Sequence, residues 1–339
     1  MATIPLFLLT GFLGSGKSTL LSALVRHRGF ADTAVIVNEF GEVGLDHLLV
    51  SEGDETNAVL LDSGCICCTL TSSLEDTLES LYYQAERGEI PRFARVVVET
   101  TGLADPGPIA NALAAGPFVS RFVHLAAIVT TIDCINGAEQ LARFEEARLQ
   151  AAMADRVILT KGDVATPDQR AATEAALAVL APHAERLSAV SGDIDPGLVL
   201  GAAEPGRRSP SKAAAGCDHD HHHDHDHDHH HDHGHEGHIH AHGYVSVAAP
   251  IDGPATWAGY ARMVERARAL GDDLLRVKGL IGFEDGGVYA LQGVRLVFDP
   301  PRRLSWTPPE GTRDRLVVIA RGIPPERLRE IAGALAERG

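Results

Sequence analysis

The chain is short of positive charge, of aromatic side chains and of cysteine, and it has no long apolar run. Against 46 Asp and Glu stand 30 Lys and Arg, a net charge of −16 with His neutral. A nucleic-acid binder needs a basic face to neutralise phosphates, so nucleic acid is excluded as a partner. No stretch reaches the roughly 20 apolar residues of a membrane span, so no membrane partner is expected. The opening "MATIPLFLLTGFLG" has neither a basic leader nor a small-residue cleavage site and runs straight into a motif. A signal peptide is not expected, and a cytoplasmic location is. Five cysteines do not make a disulfide framework when three of them, Cys65, Cys67 and Cys68, stand within four positions. Neighbouring thiols in a reducing compartment bind metal or do redox chemistry.

What is present is a 339-residue chain, long enough for two domains, with an apolar fraction of 45 %. Up to about residue 200, the runs "PLFLL", "TAVIV", "NAVLL", "RVVVE", "LAAIVTTID" and "RVILT" alternate with helical patterns. Short apolar runs of this kind are buried parallel strands, so residues 1–204 read as a doubly wound α/β domain. Residues 205–242 break the pattern with a linker, "PGRRSPSKAAAG", followed by an Asp-interleaved histidine tract. Fourteen of the chain's 18 histidines lie between His219 and His242. Residues 243–339 resume order as β-α-β-β-β-α, a small α+β domain of ferredoxin-like type.

"TGFLGSGKST" supplies Gly11-x-x-x-x-Gly16-Lys17-Ser18 between a strand and a helical pattern, the context of a P-loop. Backbone N–H groups of Gly11, Gly14, Ser15 and Gly16, with Thr19 at the helix start, wrap the phosphates. Lys17 reaches the β and γ oxygens, and the Ser18 hydroxyl holds Mg²⁺. "RVVVETTG" ends a buried strand in Glu99, the Walker B position acting on Mg²⁺, and Gly102 three residues on can sense the γ-phosphate. "VILTKGD" places Thr160, Lys161 and Asp163 after another strand, the [NT]-K-x-D element. A carboxylate there accepts from guanine N1–H and N2–H₂, donors adenine does not offer on that edge, so the nucleotide is GTP. "NEFGEVGLD", with Glu39 and Glu42, occupies the position of a switch loop. Candidates for carrying hydrolysis are Lys17, Glu99, Gly102 and Glu42.

The thiols of "GCICC" lie between that loop and the Walker B strand. In an extended strand Cys65 and Cys67 face one way and Cys68 the other, so two thiolates plus water or a switch-loop carboxylate, Glu39 or Glu42, compete with three thiolates as the ligand set. Thiolates are soft donors for Zn²⁺ or Cu⁺, and a closed structural zinc site would want a second C-x₂₋₄-C pair that the chain lacks. A metal that arrives and leaves fits better. The imidazoles of the tract, among them His221, His222, His223, His225 and His227, bind Zn²⁺, Ni²⁺, Co²⁺ and Cu²⁺ without fixed geometry. The tract reads as a reservoir that raises local metal concentration near the thiols. Cys134 and Cys217 receive no role.

Taken together, "TGFLGSGKST", "NEFGEVGLD", "GCICC", "VVVETTGLADPGP", "LTKGD" and "GDIDPG" resemble the CobW/YjiA family of P-loop metal-handling GTPases, and its YjiA-like branch more than its cobalamin-pathway branch. "LLRVKGLI" and "LQGV" extend the resemblance into the C-terminal domain. It implies that C-x-C-C is a metal site coupled to nucleotide and that Glu, as at Glu99, is usual at the Walker B position. It further implies a GTP-driven metallochaperone handing Zn²⁺, or alternatively Co²⁺ or Ni²⁺, to a client metalloprotein. Cobalt insertion, nitrile-hydratase-type activation and passive metal storage are the alternatives, and a homodimer is left open. A store would need no P-loop, and a small-molecule kinase would need neither the guanine element nor the thiols.

Overall fold

The computed structural model describes residues 3–37, 59–62, 70–201, 243–304, 306, 308 and 313–337. Apolar β1 (Ile4–Thr10) leads into α1 (Lys17–Val25), then β2 (Thr33–Val37), β3 (Val59–Asp62), α2 (Leu70–Glu86) and β4 (Arg95–Glu99). They are followed by α3 (Pro106–Ala115), α4 (Pro117–Phe122), β5 (Val123–Asp133), α5 (Gly137–Arg143) and α6 (Glu145–Met153). The unit closes with β6 (Arg156–Thr160), α7 (Pro167–Leu180), β7 (Glu185–Ser188) and α8 (Pro196–Leu200). Helix starts are written locally. Pro stands at N1 or N2 of α3, α7 and α8, behind the caps Asp105, Thr166 and Asp195. Thr166 and Gln169 form a reciprocal capping box, a device whose cap is worth about 1 kcal/mol.

The seven strands form one sheet in the order β3-β2-β4-β1-β5-β6-β7, every pairing parallel. Alternation along β1 shows why both faces must be covered. Leu6 and Leu8 join the core under α2, α3 and α6, while Phe7 and Leu9 join the core under α1 and α8. The six apolar runs read from the sequence are all strands. The seventh, β7, escapes that reading because it is a polar edge strand, "ERLS", with one buried side chain.

The second unit runs β8 (Tyr244–Pro250), α9 (Trp257–Arg268), β9 (Leu274–Gly282), β10 (Val288–Val294), β11 (Val297–Phe298), β12 (Arg302–Arg303), β13 (Arg315–Arg321) and α10 (Pro325–Gly333). Its sheet is antiparallel, in the order β11-β10-β9-β13-β8, with β12 on β10. One face, with Leu274, Val277, Leu316 and Val318, packs beneath α9 and α10. The other lies on the first unit, where Tyr244, Leu275, Val294 and Ile319 share its core. On that face Arg276 and Lys278 reach the buried carboxylate of Asp155, at 2.5 and 2.6 Å.

Candidate functional site

In a doubly wound sheet the ligand crevice lies outside the carboxyl ends of the strands, where the strand order reverses. Here β1 stands between β4 and β5, and a cleft of about 300 Å³ opens at that end. It is lined by Leu13, Gly14, Gly16, Lys17, Ser18, Thr19, Glu99, Thr100, Thr101, Gly102 and Lys161. Three separate motifs therefore meet at one place.

The loop between β1 and α1 is shaped by backbone that side chains disfavour. Gly11, Gly14 and Gly16 have φ of 143°, 70° and 94°. At Gly11 a Cβ would also fall 2.3 Å from Thr131 Oγ1 and 2.6 Å from its carbonyl. Neighbouring strand ends hold the loop from below. Ser15 and Thr131 share a hydroxyl hydrogen bond of 2.7 Å, and Thr160 Oγ1 donates to the Ser15 carbonyl at 2.7 Å. Lys17 Nζ donates to the carbonyls of Gly11 and Phe12, at 2.8 and 3.3 Å, across the mouth of the loop.

Ser18 Oγ donates to Glu99 Oε1 at 3.0 Å. A hydroxyl and a carboxylate converging at the start of α1 form an all-oxygen donor set, which suits the hard cation Mg²⁺. Beyond Glu99 the chain turns at Gly102, where a Cβ would lie 2.9 Å from Leu13 N and 3.0 Å from its Cα. This turn is pressed against the P-loop, and only glycine permits the approach.

Lys161 has φ of 56°, and its ammonium bridges the Gly14 carbonyl at 2.9 Å and Asp133 Oδ2 at 2.8 Å. Asp133, at the end of β5, also accepts from Ile135 N–H and Asn136 Nδ2, at 2.7 and 2.9 Å. Burial raises its pKa, but these donors outweigh burial and hold the carboxyl below its ordinary range. Asp163 is exposed at the rim, with no hydrogen bond to another described residue. Ser191 and Gly192 turn with φ of 51° and 83° against α1, where a Cβ on Gly192 would meet Thr19 O at 2.7 Å.

Glu39, Glu42, Cys65, Cys67, Cys68, Cys217 and the histidines of the tract lie outside the described residues. What is described are the elements that deliver the thiol segment. β3 ends at Asp62, in register with Val37, which is in register with Glu99. The chain carrying the thiols thus leaves the sheet at the same edge as Glu99, two strands away, and α2 begins at Leu70. Among the described residues no group of three His, Cys, Asp or Glu could hold a metal ion.

Sequence reasoning passed over three residues of this site. Asp133 carried a signal: it is an acid ending an apolar strand, as Glu99 is. Gln150 carried none; fully buried on α6, its amide donates to the carbonyls of Gly102 and Ala104, at 3.2 and 3.0 Å. Nor did Arg295, whose guanidinium reaches Asp105 from the second unit at 2.7 Å.

Fold and cleft together define a P-loop nucleotide-binding protein whose cleft is flanked by a second loop, held to the first by Lys161. Residues 5–188 match the CobW/HypB/UreG nucleotide-binding domain, and residues 244–335 match the cobalamin synthesis protein cobW C-terminal domain. The chain belongs to the CobW/HypB/UreG family. It is 38 % identical over 201 residues to zinc chaperone YjiA of Escherichia coli K12, an alignment spanning 59 % of this chain and 62 % of that protein. It is 36 % identical over 168 residues to zinc-regulated GTPase metalloprotein activator 1 of Schizosaccharomyces pombe, spanning 48 % and 39 %. The chain thus spans less than two thirds of these curated relatives. The crystal structure of Zn(II)-bound YjiA GTPase from E. coli superposes with a TM-score of 0.65 and 27 % identity, covering 99 % of this chain and all of that one. No described helix is long and apolar enough to cross a membrane.

Proposed function

We propose that this protein is a GTP-hydrolysing metallochaperone. It takes up a transition metal, zinc ahead of cobalt or nickel, at Cys65, Cys67 and Cys68 in its GTP state and surrenders it to a client metalloprotein on hydrolysis. The observation that carries this reading is the lateral register Asp62–Val37–Glu99. Strands stand about 4.8 Å apart, so the thiol segment departs roughly 10 Å from the carboxylate beside the γ-phosphate position. The names of the relatives, a zinc chaperone and a zinc-regulated GTPase activator, support zinc as the cargo.

The chemistry follows from the cleft. Water attacks the γ-phosphorus in line while the bond to the β–γ bridging oxygen breaks, and charge develops on the departing β-phosphate. Lys17 exchanges the carbonyls of Gly11 and Phe12 for β and γ oxygens, and the loop N–H groups hold the α and β phosphates. Ser18 and Glu99 would hold Mg²⁺, which neutralises charge on the phosphate oxygens. Lys161 stiffens the loop through Gly14, and Asp163 reads the guanine edge.

Residues 205–242 serve as a metal reservoir between the nucleotide domain, residues 1–204, and the C-terminal domain, residues 243–339. Hydrolysis releases metal only if metal affinity differs between nucleotide states. Coupling of this kind is about 5–150-fold and reciprocal. Saturating Zn²⁺ should therefore tighten binding of a non-hydrolysable GTP analogue by the factor by which that analogue tightens Zn²⁺. The assay is competition of Zn²⁺, Co²⁺ and Ni²⁺ against a calibrated chelator, with analogue, with GDP and with neither. Equal metal affinity in all three states would refute the reading.

A further inference from the structure

The turn that follows Glu99 is gripped from outside the nucleotide domain. Asp105 caps α3, its Oδ1 accepting from Gly107 N–H at 2.7 Å, and its Oδ2 accepts from Arg295 Nη2 at 2.7 Å. Arg295 Nη1 donates to the Asp272 carbonyl at 2.6 Å, so the guanidinium is fixed from both sides. Two features mark this contact as built. Gly107 is bare where a Cβ would fall 2.6 Å from Arg295 Nε, which lets the guanidinium lie against the first turn of α3. Arg295 is also the first residue of the two-residue turn between β10 and β11 and has φ of 52°. Such a turn favours glycine at that position, and a large residue held there against its preference points to a task for its side chain.

From below, Gln150 holds the carbonyls of Gly102 and Ala104. The segment Gly102–Asp105 is therefore fastened at its floor by α6 and at its far end by the C-terminal domain. It is fastened in the position where Gly102 lines the cleft against Leu13.

We infer that Arg295 is a positioning residue for this turn, through which the C-terminal domain sets how strongly the cleft prefers a nucleoside triphosphate to the diphosphate. The inference rests on the cleft being the GTP site proposed above. In a cleft lined by the P-loop at one side and Gly102 at the other, a diphosphate would rest on the P-loop and a γ-phosphate would extend toward Gly102, so loosening the turn should weaken one ligand and spare the other. A contact made differently in two ligand states is what shifts an equilibrium.

The test uses the full-length protein with Mg²⁺, GDP and a non-hydrolysable GTP analogue as probes. Arg295→Ala should weaken the analogue about 5–50-fold, leave GDP within about twofold, and lower the hydrolysis rate. Asp105→Asn keeps a good capping residue but loses the charge; it should act alike, and the double variant should be no worse than either single one. Arg321→Ala removes another inter-domain ion pair, Arg321–Glu145 at 2.9 Å, and should leave the analogue-to-GDP ratio unchanged. Equal weakening of both nucleotides, a lower melting temperature with an unchanged ratio, or additive single effects would overturn the inference and leave Arg295 a domain fastener. Parent protein that binds neither nucleotide would overturn the cleft reading and this one with it. Parent protein that separates the two nucleotides, beside a variant that separates them equally, overturns this one alone.

Discussion

Replacing Asp155 by Ala should loosen the C-terminal domain from the nucleotide domain. The carboxylate sits between α6 and β6 with only 1 % of its side chain exposed. Oδ2 accepts from Ile128 N–H at 2.8 Å and from Arg276, and Oδ1 accepts from Lys278. Burial pushes its pKa up, but the two cations outweigh burial and hold the group well below the carboxylate range. Lys278 can shed its proton when the partner is lost, since burial already lowers its pKa. Arg276 would be left buried without its carboxylate, and its Nε and Nη1 have no hydrogen-bond partner among the described residues. Breaking a buried pair by removing one member costs about 3–5 kcal/mol, because a buried charge is left uncompensated. At about 2–4 °C per kcal/mol, the melting temperature should fall by roughly 6–20 °C. Both tryptophans, Trp257 and Trp306, lie in the C-terminal half, so their fluorescence follows that unit while circular dichroism follows the whole chain. The fluorescence transition should move to lower denaturant ahead of the other. Asp155→Asn, which keeps an acceptor for Ile128, should fall in between. A loss below about 1 kcal/mol for Asp155→Ala would refute the assignment of this carboxylate as the junction's principal anchor.

Three further outcomes are expected. Gly11→Ala puts a methyl 2.3 Å from Thr131 Oγ1 at a φ of 143°, so nucleotide affinity should drop at least tenfold by calorimetry, with stability lowered by about 1–3 kcal/mol. Asp163→Asn should weaken GTP by about 2–3 kcal/mol and improve xanthosine triphosphate, read by competition binding. His183, with Nε2 against the Ala154 carbonyl and near Asp155, Arg276 and Lys278, has its pKa lowered by burial to about 4. A depressed histidine means that the unfolded chain binds the extra proton between about pH 6.5 and 4. Stability should therefore be full above pH 6.5 and fall as pH drops toward 4, by about 2–3 kcal/mol, and His183→Gln should flatten that slope in pH-dependent melts.

The fold was legible because a parallel strand covered on both faces must be apolar throughout, and "RVVVE" or "RVILT" can hardly be read otherwise. The phosphate loop was legible because its glycines are required by geometry, as Gly11 shows. What escaped did so for physical reasons. β7 is an edge strand with a solvated face, so its composition is that of a loop. Asp133 ends a strand just as Glu99 does, but its partner Lys161 is 28 positions away, and pairing at that distance leaves no local pattern. Gln150 looks like any polar residue of a surface helix until α6 is packed with that side inward. Arg295 could not be found from sequence, because its partner Asp105 lies 190 positions earlier in another unit.

Charge explains how the two units find one orientation. The chain is strongly acidic, yet four of its cations, Arg276, Lys278, Arg295 and Arg321, are used at one junction. Each is supplied by the C-terminal domain, and each meets an acid of the nucleotide domain, Asp155, Asp105 or Glu145. Among the described residues no inter-domain ion pair runs the other way. A uniform polarity draws the basic face of the C-terminal domain onto the acidic face of the nucleotide domain, and the buried meeting of Arg276 and Lys278 with Asp155 fixes the register. The pairs differ in exposure, and so in their response to salt. Arg321–Glu145 is open to solvent and is screened at physiological ionic strength, whereas Asp155 with Arg276 is not. Added salt should therefore weaken the rim of the junction and leave its centre closed. If the proposed GTPase reading holds, the C-terminal sheet should stay seated on α6 and α3 in both nucleotide states, and a movement of the Gly102 turn should reach it through Arg295.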